Sequence, residues 1–173
     1  GDGTVTFTPA IDFVGEATIT YTIEDEEGLQ DTAVHTVTVE NLNDAPTAVD
    51  DVDVTPEDTP ITVDLLANDF DVDGDDLSVV EVSVPAEQGS IVNNGDGTAT
   101  FTPAPDFVGE ATVTYTITDG LGGEDTATHV VDVTAVNDAP TAVDDTAETE
   151  EDTPVTIDLV GNDTDPDGDP LTL

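Results

Sequence analysis

Apolar and polar residues alternate along several short stretches of the chain. Val113, Tyr115 and Ile117 are separated by threonines, which gives one apolar side and one polar side. A period of two places successive side chains on opposite faces of a β-strand, so this stretch predicts a strand with one buried face. No stretch shows the 3.6-residue period of an amphipathic helix. The same alternation occurs at 19–23, 61–65 and 98–102.

Glycine-rich turn sequences separate the predicted strands. Residues 94–97 (Asn-Gly-Asp-Gly) and 119–123 (Asp-Gly-Leu-Gly-Gly) have the composition of hairpin turns, in which glycine supplies a positive φ. About seven short strands in some 90 residues, divided by such turns, are typical of a Greek-key β-sandwich. The pattern therefore predicts an all-β chain of tandem sandwich domains.

The sequence repeats itself with an offset of 94 residues. Asn-Asp-Ala-Pro at 43–46 returns at 137–140, and Glu-Asp-Thr-Pro at 57–60 returns at 151–154. Roughly two-thirds of the overlapping positions are identical, which is typical of a tandem array of repeats.

The Asn-Asp-Ala-Pro segment reads as a linker, because proline breaks β-ladders and small polar residues flank it. A frame shifted by half a repeat, in which each domain joins the end of one repeat to the start of the next, is not excluded by the sequence. The linker frame predicts the C-terminal half of one repeat at 1–42, a complete repeat at 43–136 and the N-terminal part of a third repeat at 137–173.

The charge of the chain narrows the classes of function. The 173 residues include 42 Asp and Glu but no Lys or Arg, and the formal net charge is −42. Such a chain has no cation to neutralise phosphates, so we expect neither nucleic-acid binding nor direct membrane contact. The regular strand pattern argues against disorder, so cations from solution are expected to complete the fold. We also expect no enzyme activity, because no Cys, Lys or Ser–His nucleophile arrangement is present.

Carboxylates recur at every second position before a glycine in the acidic loop, residues 69–75. Like charges at this spacing repel unless a cation lies between them, and Ca²⁺ prefers six to eight oxygen ligands. Counting Asp69 as the first ligand of an EF-hand, the twelfth position is Val80 rather than Glu, which excludes that motif. The predicted ligands of this type are Asp69, Asp71, Asp73 and Asp75, with Asp163, Asp165, Asp167 and Asp169 one repeat later.

Three motifs resemble those of cadherins. Residues 43–46 are similar to the cadherin interdomain linker, and Pro56-Glu57-Asp58 resembles the acidic motif near the start of a cadherin domain. Residues 68–74 resemble the cadherin D-x-D loop. The whole 94-residue unit is more similar still to the bacterial cadherin-like repeats of large RTX-type adhesins.

The resemblance implies several calcium ions at interdomain junctions. It places the first junction at Asn43, Asp44, Asp71 and Asp73, and the second at Glu57, Asn137, Asp138, Asp165 and Asp167. The cadherin L-D-R-E motif is missing. The sequence Asp-Phe-Val-Gly-Glu stands in its place at 12–16 and at 106–110. Its acids are further candidate ligands: Asp12, Glu16, Asp106 and Glu110.

The function implied is that of a calcium-rigidified stalk in a secreted or surface-bound bacterial adhesin that takes part in biofilm formation. Its partners would be the neighbouring repeats of the same chain, while another domain binds the surface ligand. The alternative is a calcium-dependent binding module or a self-associating extracellular filament. Near-identical repeats favour the stalk, which needs length more than individuality.

Overall fold

The computed structural model describes residues 2–173, so Gly1, the first residue of the predicted half-repeat, lies outside the described part. Every regular secondary-structure element within this part is a β-strand, which confirms the predicted all-β class. The strands are β1 (Gly15–Glu24), β2 (Gln30–Val39), β3 (Asp51–Pro56), β4 (Ile61–Asp64), β5 (Ser78–Ser83), β6 (Gly89–Asn93), β7 (Thr98–Pro103), β8 (Gly109–Thr118) and β9 (Glu124–Thr134).

Strands β3 to β9 form the two sheets of a β-sandwich. One sheet has the order β3-β9-β8-β5, and the other has the order β4-β7-β6. β3 runs parallel to β9, whereas the other pairs are antiparallel. Consecutive strands thus change sheet between β3 and β4, between β4 and β5, between β5 and β6, and again between β7 and β8, as expected for the predicted Greek-key architecture.

The core lies between these sheets and follows the alternation in the sequence. In β8, the apolar side chains face inward and the intervening threonines are at least partly exposed. Burying a valine or isoleucine side chain completely contributes about 1.5–3 kcal/mol relative to leaving it exposed. The buried apolar residues are Val63, Leu65, Ala99, Phe101, Ala111, Val113, Tyr115, Ile117, Ala127, Val131 and Val133.

Two buried polar groups tie β3 and its approach segment to the other strands. The Tyr115 hydroxyl donates to the carbonyl of Val49 (3.0 Å) and to Oδ1 of Asp69 (3.2 Å). His129 is also buried, and its Nε2 lies 3.1 Å from Oδ2 of Asp53. Because unpaired polar groups are costly in a core, these contacts fix the path of the chain between the linker and the sheet.

The segments on either side of the sandwich repeat its local structure. β1 and β2 form an antiparallel hairpin whose register matches that of β8 and β9 one repeat later. Thr141 and Thr164 form the same isolated bridge as Thr47 and Phe70, 94 positions earlier. Within residues 2–173, no helix is long and apolar enough to span a membrane.

Candidate metal sites

The acidic loop is held against the linker by backbone hydrogen bonds. The N–H of Thr47 donates to the carbonyl of Phe70 (2.8 Å), and the N–H of Phe70 donates back to Thr47 (3.2 Å). Gly74 has a φ of 83°, a left-handed conformation that glycine adopts without strain and that lets the loop turn back. These contacts bring the aspartates of the loop next to the start of the complete repeat.

Asp71, Asp73 and Asp75 form a group that we call the loop cluster. A ligand oxygen from each residue lies within 4.8 Å of the other two, and all three residues are partly buried. Oδ1 of Asp71 accepts the backbone N–H of Asp73 at 2.7 Å, whereas its Oδ2 is buried without a hydrogen-bond partner. A buried carboxylate oxygen without a donor is the arrangement that a bound cation would satisfy.

The charge of the loop cluster is reflected in the pKa of Asp75. Burial, followed by the negative charges of Asp71, Asp73 and Asp119, raises this pKa above its ordinary value. Both effects disfavour the ionised carboxylate. A cation at the cluster would relieve them by supplying the missing positive charge.

Asp119, in the turn between β8 and β9, extends the loop cluster toward the linker. Its Oδ2 accepts a 2.8 Å hydrogen bond from the side-chain amide of Asn43. This bond, together with backbone N–H groups of residues 121–123, holds the pKa of Asp119 below its usual range. Asp119 was not among the predicted ligands, because its turn was interpreted only as a hairpin. Its recurrence as Asp25 one repeat earlier was the available signal.

Glycine at position 123 allows the hairpin to approach the linker. A Cβ atom there would lie 2.2 Å from Oδ2 of Asp119 and 2.8 Å from the Cα of Ala45. Real Cβ atoms do not approach backbone atoms so closely, so only glycine fits this place. The linker, the acidic loop and the β8–β9 turn therefore meet at one end of the sandwich.

A second group, which we call the junction cluster, contains Glu57, Asp106 and Asp138. Their ligand oxygens also lie within 4.8 Å of one another. Glu57 is only 5% exposed, and its Oε1 accepts the backbone N–H of Val136 at 2.6 Å. The cluster combines two residues of the sandwich with one residue of the following linker.

Backbone conformation helps to place Asp106. Its φ of 55° lies in the left-handed region, which aspartate tolerates better than most non-glycine residues. Asp12, its equivalent one repeat earlier, has a φ of 56°. The repeated conformation indicates that this turn is a regular feature of the repeat.

The pKa of Asp138 shows that the junction cluster is electrostatically crowded. Burial and then the negative charges of Asp167, Glu57, Asp58 and Asp106 raise it above its ordinary value. Asp167 also accepts the backbone N–H of Asp138 at 2.7 Å. The acidic loop of the third repeat therefore reaches the junction cluster through the linker.

The first linker shows a related arrangement. Asp12, Asp44 and Asp73 line a common cavity there, and they are the equivalents of Asp106, Asp138 and Asp167. Equivalent aspartates therefore lie beside the linker at both places.

Several predicted ligands lie outside the two clusters. Asp69 and Asp163 each accept a backbone N–H, from Val49 (2.7 Å) and Val143 (2.8 Å) respectively. Glu16 and Glu110 are exposed on β1 and β8. In the third repeat, Oδ1 of Asp165 accepts the N–H groups of Asp167 (3.0 Å) and Asp169 (3.2 Å), as Asp71 does one repeat earlier. The side-chain amide of Asn137 donates to the carbonyl of Asp138 at 3.0 Å.

The donor atoms of both clusters suit a hard cation. Each cluster consists of carboxylates, and neither includes a histidine. Oxygen ligands in irregular geometry favour Ca²⁺, whereas Zn²⁺ usually takes His or Cys. The residues present therefore fit calcium.

Two models of known protein families together match most of the chain. The model described as cadherin-like domain matches residues 1–40 and 42–134, and the model described as bacterial Ig domain matches residues 137–173. No curated protein matches the sequence.

Among solved structures, extracellular cadherin domains 3–6 of protocadherin gamma B2 resemble the chain with a TM-score of 0.51 and 18% identity. This match covers 82% of the chain and 39% of the protocadherin. An endo-fucoidan hydrolase of glycoside hydrolase family 107 matches with a TM-score of 0.36 and 19% identity, over 78% of the chain and 22% of the hydrolase. The chain spans less than half the length of these solved structures.

Proposed function

Because the chain belongs to the family of cadherin-like domains, we propose that it is a series of calcium-stiffened spacer repeats from the stalk of a bacterial surface adhesin. Cadherin-like and bacterial Ig domains are typically extracellular repeats, and they are generally not enzymes. Cadherin-like domains generally bind Ca²⁺. The stalk, its stiffening by calcium and its place in an RTX-type adhesin of a biofilm are our proposal.

The observation that carries the proposal is the junction cluster. Glu57 and Asp106 belong to the sandwich, whereas Asp138 belongs to the linker that leads into the third repeat. A cation bound by all three would attach the linker to the sandwich. Without the cation, the three carboxylates repel one another, and the linker is held by fewer contacts.

The loop cluster also supports the proposal. It lies in the domain that follows a linker, whereas the junction cluster lies in the domain that precedes one. The N–H of Asp44 donates to Asp73, and the amide of Asn43 donates to Asp119. A cation among Asp71, Asp73 and Asp75 would therefore lie beside the first linker. We propose that the repeat unit is 43–136 and that each linker is fixed by cations on both of its sides.

The dimensions suit a spacer. β9 is the longest strand, with 11 residues, and at about 3.3 Å per residue it spans roughly 36 Å. Each added repeat would extend the stalk by about this length. The neighbouring repeats are then the main partners of each domain, and a separate domain of the adhesin binds the surface ligand.

Limited proteolysis tests the proposal. The chain has no Lys or Arg, so a protease that cleaves after Glu is the suitable probe, and Glu40 lies just before the first linker. We expect cleavage at Glu40 in EDTA and at least about tenfold slower cleavage in millimolar Ca²⁺. Cleavage at exposed Glu87, inside the complete repeat, is the control for a direct effect of calcium on the protease. Equal rates at Glu40 with and without Ca²⁺ would contradict the proposal.

A further inference from the structure

Strand β3 of the complete repeat places its apolar residues on the outside of the sandwich. Val52 and Val54 are 80% and 62% exposed, whereas Thr55 is buried. Asp53, which lies between the two valines, points the other way, and its Oδ2 is 3.1 Å from Nε2 of the buried His129. Because side chains alternate between the two faces of a strand, this inward placement of the polar residues leaves both valines on the outer face.

The outer face of β9 continues this apolar surface. Val130 lies opposite Val52 in the parallel pairing of β3 with β9 and is partly exposed. Asp132 follows on the same face, and Glu110 of β8 lies opposite it. A surface pocket of about 250 Å³, which we call the outer pocket, is lined by Val52, Asp53, Val54, Glu110, Val130 and Asp132.

The valines of the outer pocket distinguish the complete repeat from its neighbours. Roughly two-thirds of the equivalent positions are identical between repeats, yet all three valines are replaced by polar residues at the offset of 94. The equivalents of Val52, Val54 and Val130 are Thr146, Glu148 and Thr36. Single exposed valines are common on protein surfaces, but these three adjoin one another on one face. The apolar surface is therefore a property of this repeat and not of the repeat in general.

The backbone beside the outer pocket is available for pairing. β3 is the outermost strand of its sheet, and within residues 2–173 no strand pairs with its free side. The unpaired N–H and C=O groups of an edge strand can pair with a strand of another chain. A second copy of this chain is a poor partner, because each copy carries a net charge of −42. A basic partner is attracted instead.

The lining of the outer pocket matches a lysine or arginine side chain. Such a side chain packs its aliphatic stem on apolar surface and keeps its charged end beside polar groups. The three valines can contact the stem, while Asp53, Glu110 and Asp132 supply negative charge for the end. This chain contains no Lys or Arg, so the matching side chain comes from another protein.

We propose that the free edge of β3 binds an extended segment of a basic partner protein, which pairs with β3 and places a Lys or Arg side chain in the outer pocket. In this kind of recognition, main-chain hydrogen bonds supply affinity, and pockets for alternate side chains supply specificity. The site uses neither the loop cluster nor the junction cluster, so it is independent of the proposed calcium function. It gives one repeat of the array a binding role of its own.

A labelled peptide of about eight residues, in which Lys and Thr alternate, is the probe. Its affinity for the 173-residue chain is measured by fluorescence anisotropy in millimolar Ca²⁺ and about 0.15 M NaCl, where exposed charges are screened beyond roughly 8 Å. A second peptide has Pro in place of each Thr. It keeps the charge of the first peptide but loses N–H groups that strand pairing needs.

Two double variants of the chain accompany the peptides. Val52→Thr with Val130→Thr removes apolar surface from the outer pocket and leaves the net charge unchanged. Val80→Thr with Val92→Thr is the matched control, because these valines are 52% and 61% exposed on β5 and β6, the other outermost strands of the two sheets. Both variants keep β-branched side chains, which suit a strand.

We expect the Lys–Thr peptide to bind the parent chain and the control variant with the same affinity. The variant of Val52 and Val130 should bind it at least about fivefold more weakly, because the lysine stem loses apolar contacts. The Lys–Pro peptide should bind the parent at least about tenfold more weakly. Equal affinities of the two peptides, or of the parent and the Val52/Val130 variant, would show attraction to charge alone and overturn the proposal.

Amide hydrogen exchange measured by NMR locates the bound peptide. We expect the exchange of amides on the free edge of β3 to slow by at least about tenfold when the Lys–Thr peptide is added. Amides of β5, at the opposite edge of the same sheet, should exchange at an unchanged rate. Protection of β5 instead of β3, or of neither strand, would contradict pairing along β3.

Discussion

The backbone N–H of Asp44 donates a 2.7 Å hydrogen bond to Oδ2 of Asp73, and this bond fastens the linker to the acidic loop. The same bond, also of 2.7 Å, joins Asp138 to Asp167 at the next linker. Asp73 thus contributes both to the loop cluster and to the linker contact. This dual role makes the aspartates of the loop the most informative positions for substitution.

Replacing Asp71 and Asp73 by Ala should weaken calcium binding. The double variant removes two of the three carboxylates of the loop cluster, so we expect the affinity of that site to fall by at least about 100-fold. Isothermal titration with Ca²⁺ measures the change. Glu81→Gln with Glu87→Gln removes the same number of charges at exposed positions and should leave the titration almost unchanged. An unaltered titration of the Asp71/Asp73 variant would rule out the loop cluster as a calcium site.

Asp75→Asn should have opposite effects on stability and on calcium affinity. Burial and neighbouring carboxylates raise the pKa of Asp75, so its ionised form destabilises the calcium-free protein. The variant should therefore be more stable than the parent in EDTA at pH 7, but bind Ca²⁺ more weakly. Denaturant unfolding in EDTA and calcium titration measure the two effects.

The stabilising effect of Asp75→Asn should also depend on pH. Because the folded-state pKa is raised, the favourable contribution of protonated Asp75 is fully present below its unfolded-state pKa and is lost as pH rises through the folded-state pKa. The variant and the parent should therefore have nearly equal stabilities near pH 3.5 and diverge toward pH 7. A stability difference that is constant over this range would show that charge is not its cause.

Glu57→Gln should loosen the second linker while it leaves the first linker unchanged. Gln keeps an oxygen that can accept the N–H of Val136, but it removes the charge that a cation needs. Because the chain has no Cys, spin labels can be attached at introduced cysteines replacing Thr102 and Thr146, which lie on either side of this linker. In Ca²⁺, we expect a broader distance distribution for Glu57→Gln than for the parent.

The control for that experiment is Glu110→Gln, which removes the same charge from an exposed position on β8. It should keep the narrow distribution of the parent. Broadening with Glu110→Gln, but not with Glu57→Gln, would instead assign the junction ligand to Glu110.

Tyr115→Phe should lower the stability of the complete repeat by about 1–2 kcal/mol, since it removes the hydroxyl that donates to Val49 and Asp69. Calcium affinity at the loop cluster should change less than threefold, because Asp71, Asp73 and Asp75 keep their places. Denaturant unfolding and calcium titration check the two statements. A large loss of affinity would instead show that Tyr115 positions the acidic loop through Asp69.

The fold was predictable because the alternation in the sequence matches burial closely. In β8, the apolar residues between Ala111 and Ile117 are completely buried, and the threonines between them are not. Strands β4, β7 and β8 follow from such local patterns and from the turn residues. The pairing of β3 with β9 was not predictable, because it joins residues some 78 positions apart, such as Asp51 and His129.

The candidate sites were predictable only in part. Even spacing of carboxylates does not distinguish Asp69 from Asp71, whereas in the structure Asp71, but not Asp69, groups with Asp73 and Asp75. Asp119 was missed because its role depends on contact with Asn43, which lies 76 residues away in the sequence. The assignment of all these residues as calcium ligands stays a prediction.

Small-angle X-ray scattering in millimolar Ca²⁺ and in EDTA tests the central claim most directly. We predict an elongated particle of well-defined maximum dimension in Ca²⁺, which becomes shorter and more variable in EDTA. Identical scattering in the two buffers would contradict the stiffening of the linkers by calcium.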